Sequence, residues 1–387
     1  MKILYVGHTY TVRANQTKVL ALARLDGVEI TLVTPPAWRG PLYANRTDPF
    51  DTSLAPNVRH HILRATFVGK ESAYIFAPLI FTLIRQLKPD IVHVEQGAYA
   101  LSYAQILWAL KTFSPRSRAL FFTWWNLPYM PRGIKKWAES FNFAHSACAI
   151  AGNSAAREVL REHGFSRPVF ILPQLGIDTA AYGNLELARR NDGRFTIGYA
   201  GRIAEEKGVL DLLTAVSQME HKKNVSLYFV GAGDALEQAK QFAAQNSVAL
   251  IHHPAVRNEE LPEHLAKMDA LVLPSRTTPT WVEQFGHILL EAMACGVPVI
   301  GSSSGEIPNV IGEAGLIFDE GNSAQLAALL DRLSLSEDER NHLAMLGRKR
   351  VEEHFTNEKI AEAQMKIYEW MLREGQPVGA WKGNPSA

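Results

Sequence analysis

Cysteine is nearly absent: the 387 residues contain only Cys148 and Cys295. That excludes a disulfide framework and leaves no thiolate cluster for a metal. Long apolar runs are missing too, and none approaches the ~20 residues needed to cross a bilayer. The first residues carry one charge, Lys2, and then a strand-length apolar stretch closed by Gly7. A signal peptide needs a longer apolar segment and a small-residue cleavage site, so the chain reads as cytoplasmic. There is no short-period repeat and no low-complexity tract. What is present is 47% hydrophobic and 20% charged, the composition of a soluble protein with a sizeable core. Its length is too great for one compact core and fits two domains.

Net charge is also small, with 40 Lys and Arg against 39 Asp and Glu, but it is unevenly spread. Residues 1–175 hold 20 cations and 10 acids, a net +10, whereas residues 176–387 hold 20 and 29, a net −9. A basic half suits an anionic acceptor or an anionic membrane; alternatively the two halves attract each other across a cleft. The basic residues are dispersed rather than clustered, which argues against nucleic acid.

Hydrophobic periodicity alternates between strand and helix. In the first half the strands are expected at Lys2–Val6, Val28–Val33, Ile91–Val94, Ala119–Thr123 and Ala147–Ala151. The helices are expected at Thr17–Leu25, Tyr74–Leu87, Leu101–Phe113, Ile134–Phe143 and Ala155–Glu162, the last introduced by the N-caps Asn153 and Ser154. Between Pro168 and Asn191 the period fades, as a hinge would. It restarts at Phe195–Tyr199 and continues through strands at Ser226–Val230, Val248–His252, Ala270–Pro274, Val297–Gly301 and Leu316–Phe318, with helices between. Polar helices then run to about Arg373, and the tail after Gly375 has no period. The reading is an α/β protein with two doubly wound, Rossmann-like domains facing a central cleft: an acceptor-binding domain at 1–175, a second domain at 176–365, and a helix end and tail at 366–387.

Two constellations carry chemistry. In Gly201-Arg202-Ile203-Ala204-Glu205-Glu206-Lys207-Gly208 a strand ends at a glycine, and an Arg and a Lys follow beyond the carboxyl edge of the sheet. A guanidinium fork and a compact ammonium together suit a diphosphate; an ordinary solvated loop is the plain alternative. In the second, Gly286 turns the chain into a helix whose first amides form an anion site, with Glu283 ahead of it and Glu291 on it. A carboxylate there repels phosphate unless it accepts hydrogen bonds from hydroxyls, so two of them suggest sugars on either side of a phosphate. The alternative is a helix-dipole partner and a solvated residue.

Gly201-Arg202…Glu206-Lys207-Gly208 and Glu283…Glu291 resemble the two hallmark motifs of the family 4 retaining glycosyltransferases. Pro89-Asp90-Ile91-Val92-His93, Ala151-Gly152-Asn153-Ser154, Pro173-Gln174-Leu175-Gly176-Ile177-Asp178, Gly231-Ala232-Gly233-Asp234, Leu273-Pro274-Ser275 and Gly305-Glu306-Ile307-Pro308 follow in the family's order. The resemblance implies the GT-B fold and sugar transfer from a nucleotide-sugar donor to a saccharide or lipid-linked acceptor. It implies that Arg202 and Lys207 hold the donor diphosphate, with Glu283 on the donor sugar and Glu291 on the ribose. Amides at Gly286, His287 and Ile288 would contact phosphate, and Val256 and Arg257 would lie by the base. It also implies that no divalent metal or other cofactor is needed, in keeping with the lack of an Asp-x-Asp motif.

The first half departs from that pattern. The family's Gly-Gly pair after the first strand is Arg13-Ala14 here, and its His after a strand-end Thr is replaced by Trp125 or Asn126. Glu95 then stands as the acceptor-side carboxylate, or as a strand-end group bound to a neighbouring amide. These departures keep two alternatives open: a non-catalytic nucleotide-sugar-binding protein, or an epimerase on the same plan. The helix Arg132–Phe143 pairs cations with aromatics, which suits peripheral contact with an anionic membrane at its inner face or a packed amphipathic helix.

Overall fold

Lys2–Val6 (β1) is apolar after its first residue, and Ile3, Leu4, Tyr5 and Val6 are all buried, as a strand covered on both faces requires. This computed structural model describes residues 1–38, 46–182, 193–375 and 377–378. The chain continues through Thr17–Ala23 (α1), Glu29–Thr34 (β2) and Val58–Ile62 (β3). A short antiparallel pair follows, Ala65–Thr66 (β4) with Ile75–Phe76 (β5). Then come Leu79–Leu87 (α2), Ile91–Val94 (β6), Leu101–Phe113 (α3) and Arg118–Thr123 (β7). Ile134–His145 (α4), Cys148–Ala151 (β8), Ser154–Glu162 (α5) and Val169–Ile171 (β9) complete the series. Asn153 caps α5 as expected, accepting from the Ala156 amide.

Seven of these strands form one parallel sheet in the order β3-β2-β1-β6-β7-β8-β9. The order reverses between β1 and β6, where a doubly wound sheet opens toward ligands at its carboxyl edge. Helices α2 to α5 cover one face, with Ile84, Leu107, Phe141 and Leu160 packed in one cluster with Leu4, Val94 and Phe121.

The second sheet follows the same plan. Thr179–Tyr182 (α6) precedes Phe195–Ala200 (β10), Val209–Gln218 (α7), Val225–Val230 (β11), Leu236–Gln245 (α8) and Ala249–His253 (β12). After Leu261–Leu265 (α9) come Ala270–Leu273 (β13), His287–Ala294 (α10), Val299–Ser302 (β14), Ile307–Ile311 (α11) and Leu316–Phe318 (β15). Ser323–Leu335 (α12) and Glu337–His354 (α13) end this part. The six strands are parallel in the order β12-β11-β10-β13-β14-β15, reversing between β10 and β13.

Three expectations change. Tyr74–Leu87 is not one helix: Pro78 caps it, and Gln105 binds both the amide and the carbonyl of Phe76, holding that residue extended. The span 168–191 contains β9 and α6, while 183–191 lies outside the described residues, as does most of the tail after Gly375. The chain divides into Met1–Gly176 with the C-terminal residues from Asn357, and Ile177–Thr356, rather than at 175 and 365. Asn357–Arg373 (α14) joins the first unit because Ile360, Tyr368 and Met371, spaced along one helical face, pack with Tyr5, Val19 and Ile30. No described helix is long and apolar enough to cross a membrane.

A buried polar contact fixes α14. The Tyr368 hydroxyl lies 2.7 Å from Nδ1 of His93 on β6 and accepts from Gln364 Nε2 at 2.5 Å. Tyr368→Phe strands His93 Nδ1 and leaves Gln364 Nε2 only its 3.4 Å bond to Tyr5, and is expected to cost about 1–3 kcal/mol of stability. The check is the urea midpoint of the first unit, which should fall with little change in slope.

Candidate functional site

The Glu205–Lys207 turn after β10 is pressed onto the end of β13. Gly208, at φ +67°, leaves that turn and opens α7; a Cβ there would sit 1.8 Å from the Pro274 carbonyl oxygen, so only glycine fits. The Arg276 amide donates to the Glu206 carbonyl at 2.8 Å, fastening the two segments. Lys207 is thereby brought to Glu283, although 76 residues separate them: Nζ donates to Oε2 at 2.7 Å. Ser275 Oγ donates to the same oxygen at 2.7 Å, and neither bond falls on Oε1. The ammonium also lies 4.4 Å from the centre of the Trp281 ring, a cation–π distance. Beside it, the Asp211 carboxylate grips Arg276 by two parallel bonds of 2.5 Å each.

Arg202, just past Gly201 at the end of β10, is half exposed and pairs with Glu206. Arg202 and Glu283 both act on the Tyr199 phenol. Burial holds that phenol above its ordinary value, Glu283 adds to the effect and Arg202 opposes it. Gly286, at φ +82°, turns the chain into α10, leaving the amides of His287 and Ile288 in the first turn without intrahelical acceptors. The His287 ring is lowered to about 4 by burial, and its Nε2 has no hydrogen-bond partner. Glu291, one turn further along α10, accepts from the Tyr182 hydroxyl at 3.1 Å. Burial raises its carboxyl to about 7, against the pull of that hydroxyl.

Lys207 and Glu283 are thus in direct contact, and Arg202 pairs with Glu206, the residue before Lys207. Val256 and Arg257 follow β12, the edge strand of the second sheet; Val256 is half-buried, and Arg257 is exposed and paired with Glu260 at 2.7 Å. Among the described residues no three His, Cys, Asp or Glu side chains gather as a metal site.

In the first unit the expected acceptor-side carboxylate takes a different role. Glu95 is 2% exposed and accepts from Tyr5 at 2.6 Å, Tyr10 at 2.7 Å, Lys18 at 3.0 Å and Gln174 at 2.7 Å. Burial pushes its carboxyl upward, but Lys18, His93 and the tyrosine hydroxyls outweigh burial and hold it below the ordinary value. It is an internal hub rather than an open base. Gln174 extends the hub, donating to Thr9 at 3.0 Å and accepting from Trp124 at 2.8 Å. Arg13 is exposed, but its amide is bound to Asp48 at 3.1 Å. Trp125 is half exposed beside Tyr129, and Asn126 is buried.

Sequence reasoning missed Ser275, Trp281, Tyr182 and Gln174. The first lies in a quoted Leu-Pro-Ser segment, and Trp281 is an aromatic two residues before Glu283 in a loop rich in Thr and Pro. Gln174 lies in Pro173-Gln174-Leu175-Gly176-Ile177-Asp178, another segment in the family's order, and no local signal marks Tyr182.

The family comparison falls on this second unit. Residues 186–350 match the family described as glycosyl transferases group 1. The segment resembles a group 1 glycosyltransferase domain. The chain is 31% identical over 192 residues to the capsular polysaccharide biosynthesis glycosyltransferase CapM of Staphylococcus aureus, covering 47% of this chain and 48% of that one. It is 26% identical over 260 residues to the MMP alpha-(1->4)-mannosyltransferase of Mycolicibacterium hassiacum, covering 64% and 60%. The chain therefore spans about half the length of the curated relatives it matches. Among solved structures, HepE of Anabaena in complex with UDP superposes at a TM-score of 0.67 over 95% of this chain and 100% of that one, with 16% identity. That likeness carries the fold, GT-B with two Rossmann-like units.

Glu95→Ala leaves the Lys18 ammonium buried and unpaired, and is expected to destabilise the first unit by about 3–5 kcal/mol. Denaturant titration checks the loss. The double variant Lys18→Met/Glu95→Leu should recover most of it, because burying no charge is cheaper than burying one alone.

Proposed function

We propose that this chain is a retaining glycosyltransferase that moves a sugar from a nucleotide-diphosphate donor to a hydroxyl of a saccharide or lipid-linked acceptor, in polysaccharide or glycoconjugate synthesis. The observation that carries the reading is the direct contact of Lys207 with Glu283 beside the first turn of α10. A cation, free amides and a hydroxyl-accepting carboxylate meet at one strand-end crevice, and those are the needs of a sugar joined to a diphosphate. The printed names of the relatives, a capsular polysaccharide glycosyltransferase and a mannosyltransferase, support the same chemistry, and the UDP bound to the Anabaena protein supports a nucleotide donor.

In this reading Lys207 and Arg202 neutralise the leaving diphosphate, the amides of His287 and Ile288 hold phosphate oxygens, and Glu283 accepts from donor-sugar hydroxyls. Glu291 accepts from the ribose. Preorganised donors aimed at developing charge supply the main rate effect, which makes a divalent metal unnecessary. Glu283, the carboxylate placed on the sugar, is held by Lys207 and Ser275 and serves as a hydroxyl acceptor rather than a nucleophile. Attack comes from the face that the diphosphate leaves: the acceptor oxygen bonds to the anomeric carbon as the phosphate–sugar bond breaks. The departing phosphate oxygen takes the acceptor's proton, which retains the configuration.

Lys207→Ala is expected to lower turnover about 100-fold or more, the scale of losing one oxyanion donor. Steady-state transfer or donor hydrolysis reads the effect, and unaltered turnover removes Lys207 from the site. Thermal shifts with UDP-, GDP- and ADP-sugars identify the donor, since a ligand bound only by the native state raises apparent stability.

A second outcome follows from Glu291. With its carboxyl near 7, ribose hydroxyls that donate to it select the ionised form, so donor affinity should weaken by up to about tenfold per pH unit below 7. Calorimetric titration between pH 5.5 and 8.5 tests this, and Glu291→Gln should flatten the profile.

A further inference from the structure

Three of the four helices that cover one face of the first sheet carry an unusual outer surface. Leu79 on α2, Trp108 on α3, Ile134 and Trp137 on α4 and Met130 just before it are between 50% and 82% exposed. Trp108 is held outward by an edge-to-face contact with Phe81 at 5.4 Å. Scattered exposed apolar residues need no account, but here they recur on consecutive helices whose inner sides share one core cluster.

The charge pattern says what covers them. Arg85, Lys111, Lys135 and Lys136 are exposed on the same three helices. The single acidic residue in these helices, Glu139, is fully buried. It is occupied by Tyr129 at 2.6 Å, His163 at 2.9 Å and Lys136 at 3.2 Å. The Tyr129 bond also ties the loop carrying Met130 to α4, so that side chain projects from an anchored segment. The next helix, α5, differs: Glu158 and Glu162 are exposed on it, and the acid-free face ends there.

We infer that the outer face of α2, α3 and α4 docks on an anionic lipid bilayer. Aliphatic and indole side chains enter the boundary of headgroups and acyl chains, while the lysines and the arginine remain among the phosphates. A second copy fits poorly. A two-fold contact would set this face against itself, cation against cation, with no exposed carboxylate on the three helices to pair them. The docking stands on these helices alone; that the acceptor is borne on lipid rests in addition on the transfer reading above.

The test is co-sedimentation of the full chain with vesicles of phosphatidylcholine alone or mixed with phosphatidylglycerol. The chain is expected to pellet with the mixed vesicles and far less with the neutral ones. Neutralising Lys111 and Lys135 by glutamine should weaken partitioning about fivefold for each charge. Trp108→Ser/Trp137→Ser should reduce it on vesicles of either composition. UDP-sugar thermal shifts should stay as in the wild type, because these residues lie on the first unit and the proposed donor residues on the second. Equal pelleting with neutral and anionic vesicles, or unchanged pelleting of the tryptophan variant, overturns the docking. So does a wild-type dimer in sedimentation velocity that Trp137→Ser dissolves, which would assign the face to a second copy. Vesicle binding without any donor turnover would instead retire the transfer reading and leave the docking in place.

Discussion

A buried carboxylate at the edge of a sheet is an electrostatic liability unless a cation shares the position. The contact between Lys207 and Glu283 resolves that conflict. The ammonium offsets the carboxylate, and Ser275 adds a neutral hydrogen bond to the same oxygen. The arrangement depends on backbone rather than on long side chains. Gly208 permits contact with the Pro274 carbonyl, and the Arg276 amide secures the turn. Parallel sheets lend themselves to this, because two strands adjacent in the sheet, β10 and β13, deliver distant sequence to one edge.

The first unit places its charge differently. Glu95 stands at the corresponding strand end, yet it is sealed among tyrosines, a lysine and a glutamine. Such a network is costly to leave half satisfied, and it rigidifies what it joins. Through Gln174 it links the segments after β1, β6 and β7, so three loop bases at the carboxyl edge share one anchor. The two sheets have the same strand order at the centre and use their crevices in different ways.

Much of this architecture was legible in the sequence, because buried parallel strands and amphipathic helices write their periods directly. Lys2–Val6 and Leu101–Phe113 appear where periodicity puts them. The edge strand β3, Val58–Ile62, was not legible: with Arg and two His among five residues it has no apolar run. Nor was the position of α14, since a stripe of Ile360, Tyr368 and Met371 says that a face is buried but not against which sheet. In the site, residue types and spacing pointed to Lys207 and Glu283, while their contact across 76 residues comes only from the sheet order. Glu95 was read as a candidate for open chemistry because a strand-end acid looks the same whether it meets solvent or a buried lysine. Tyr182 was invisible for a similar reason: one aromatic in a short helix carries no signal of the carboxylate it will bind.

The path of the chain has a consequence for inheritance. Gly176 donates to the Asn357 side chain at 3.1 Å, and one residue later Ile177 donates to the Phe355 carbonyl at 2.8 Å and bridges to Thr356. The second unit therefore starts and finishes at neighbouring points, like a page held by two adjacent stitches. Recombination can exchange such an insert whole, cutting and rejoining at that doorway without threading either end through a folded core. A lineage can thus acquire a different second unit while the first keeps its own packing.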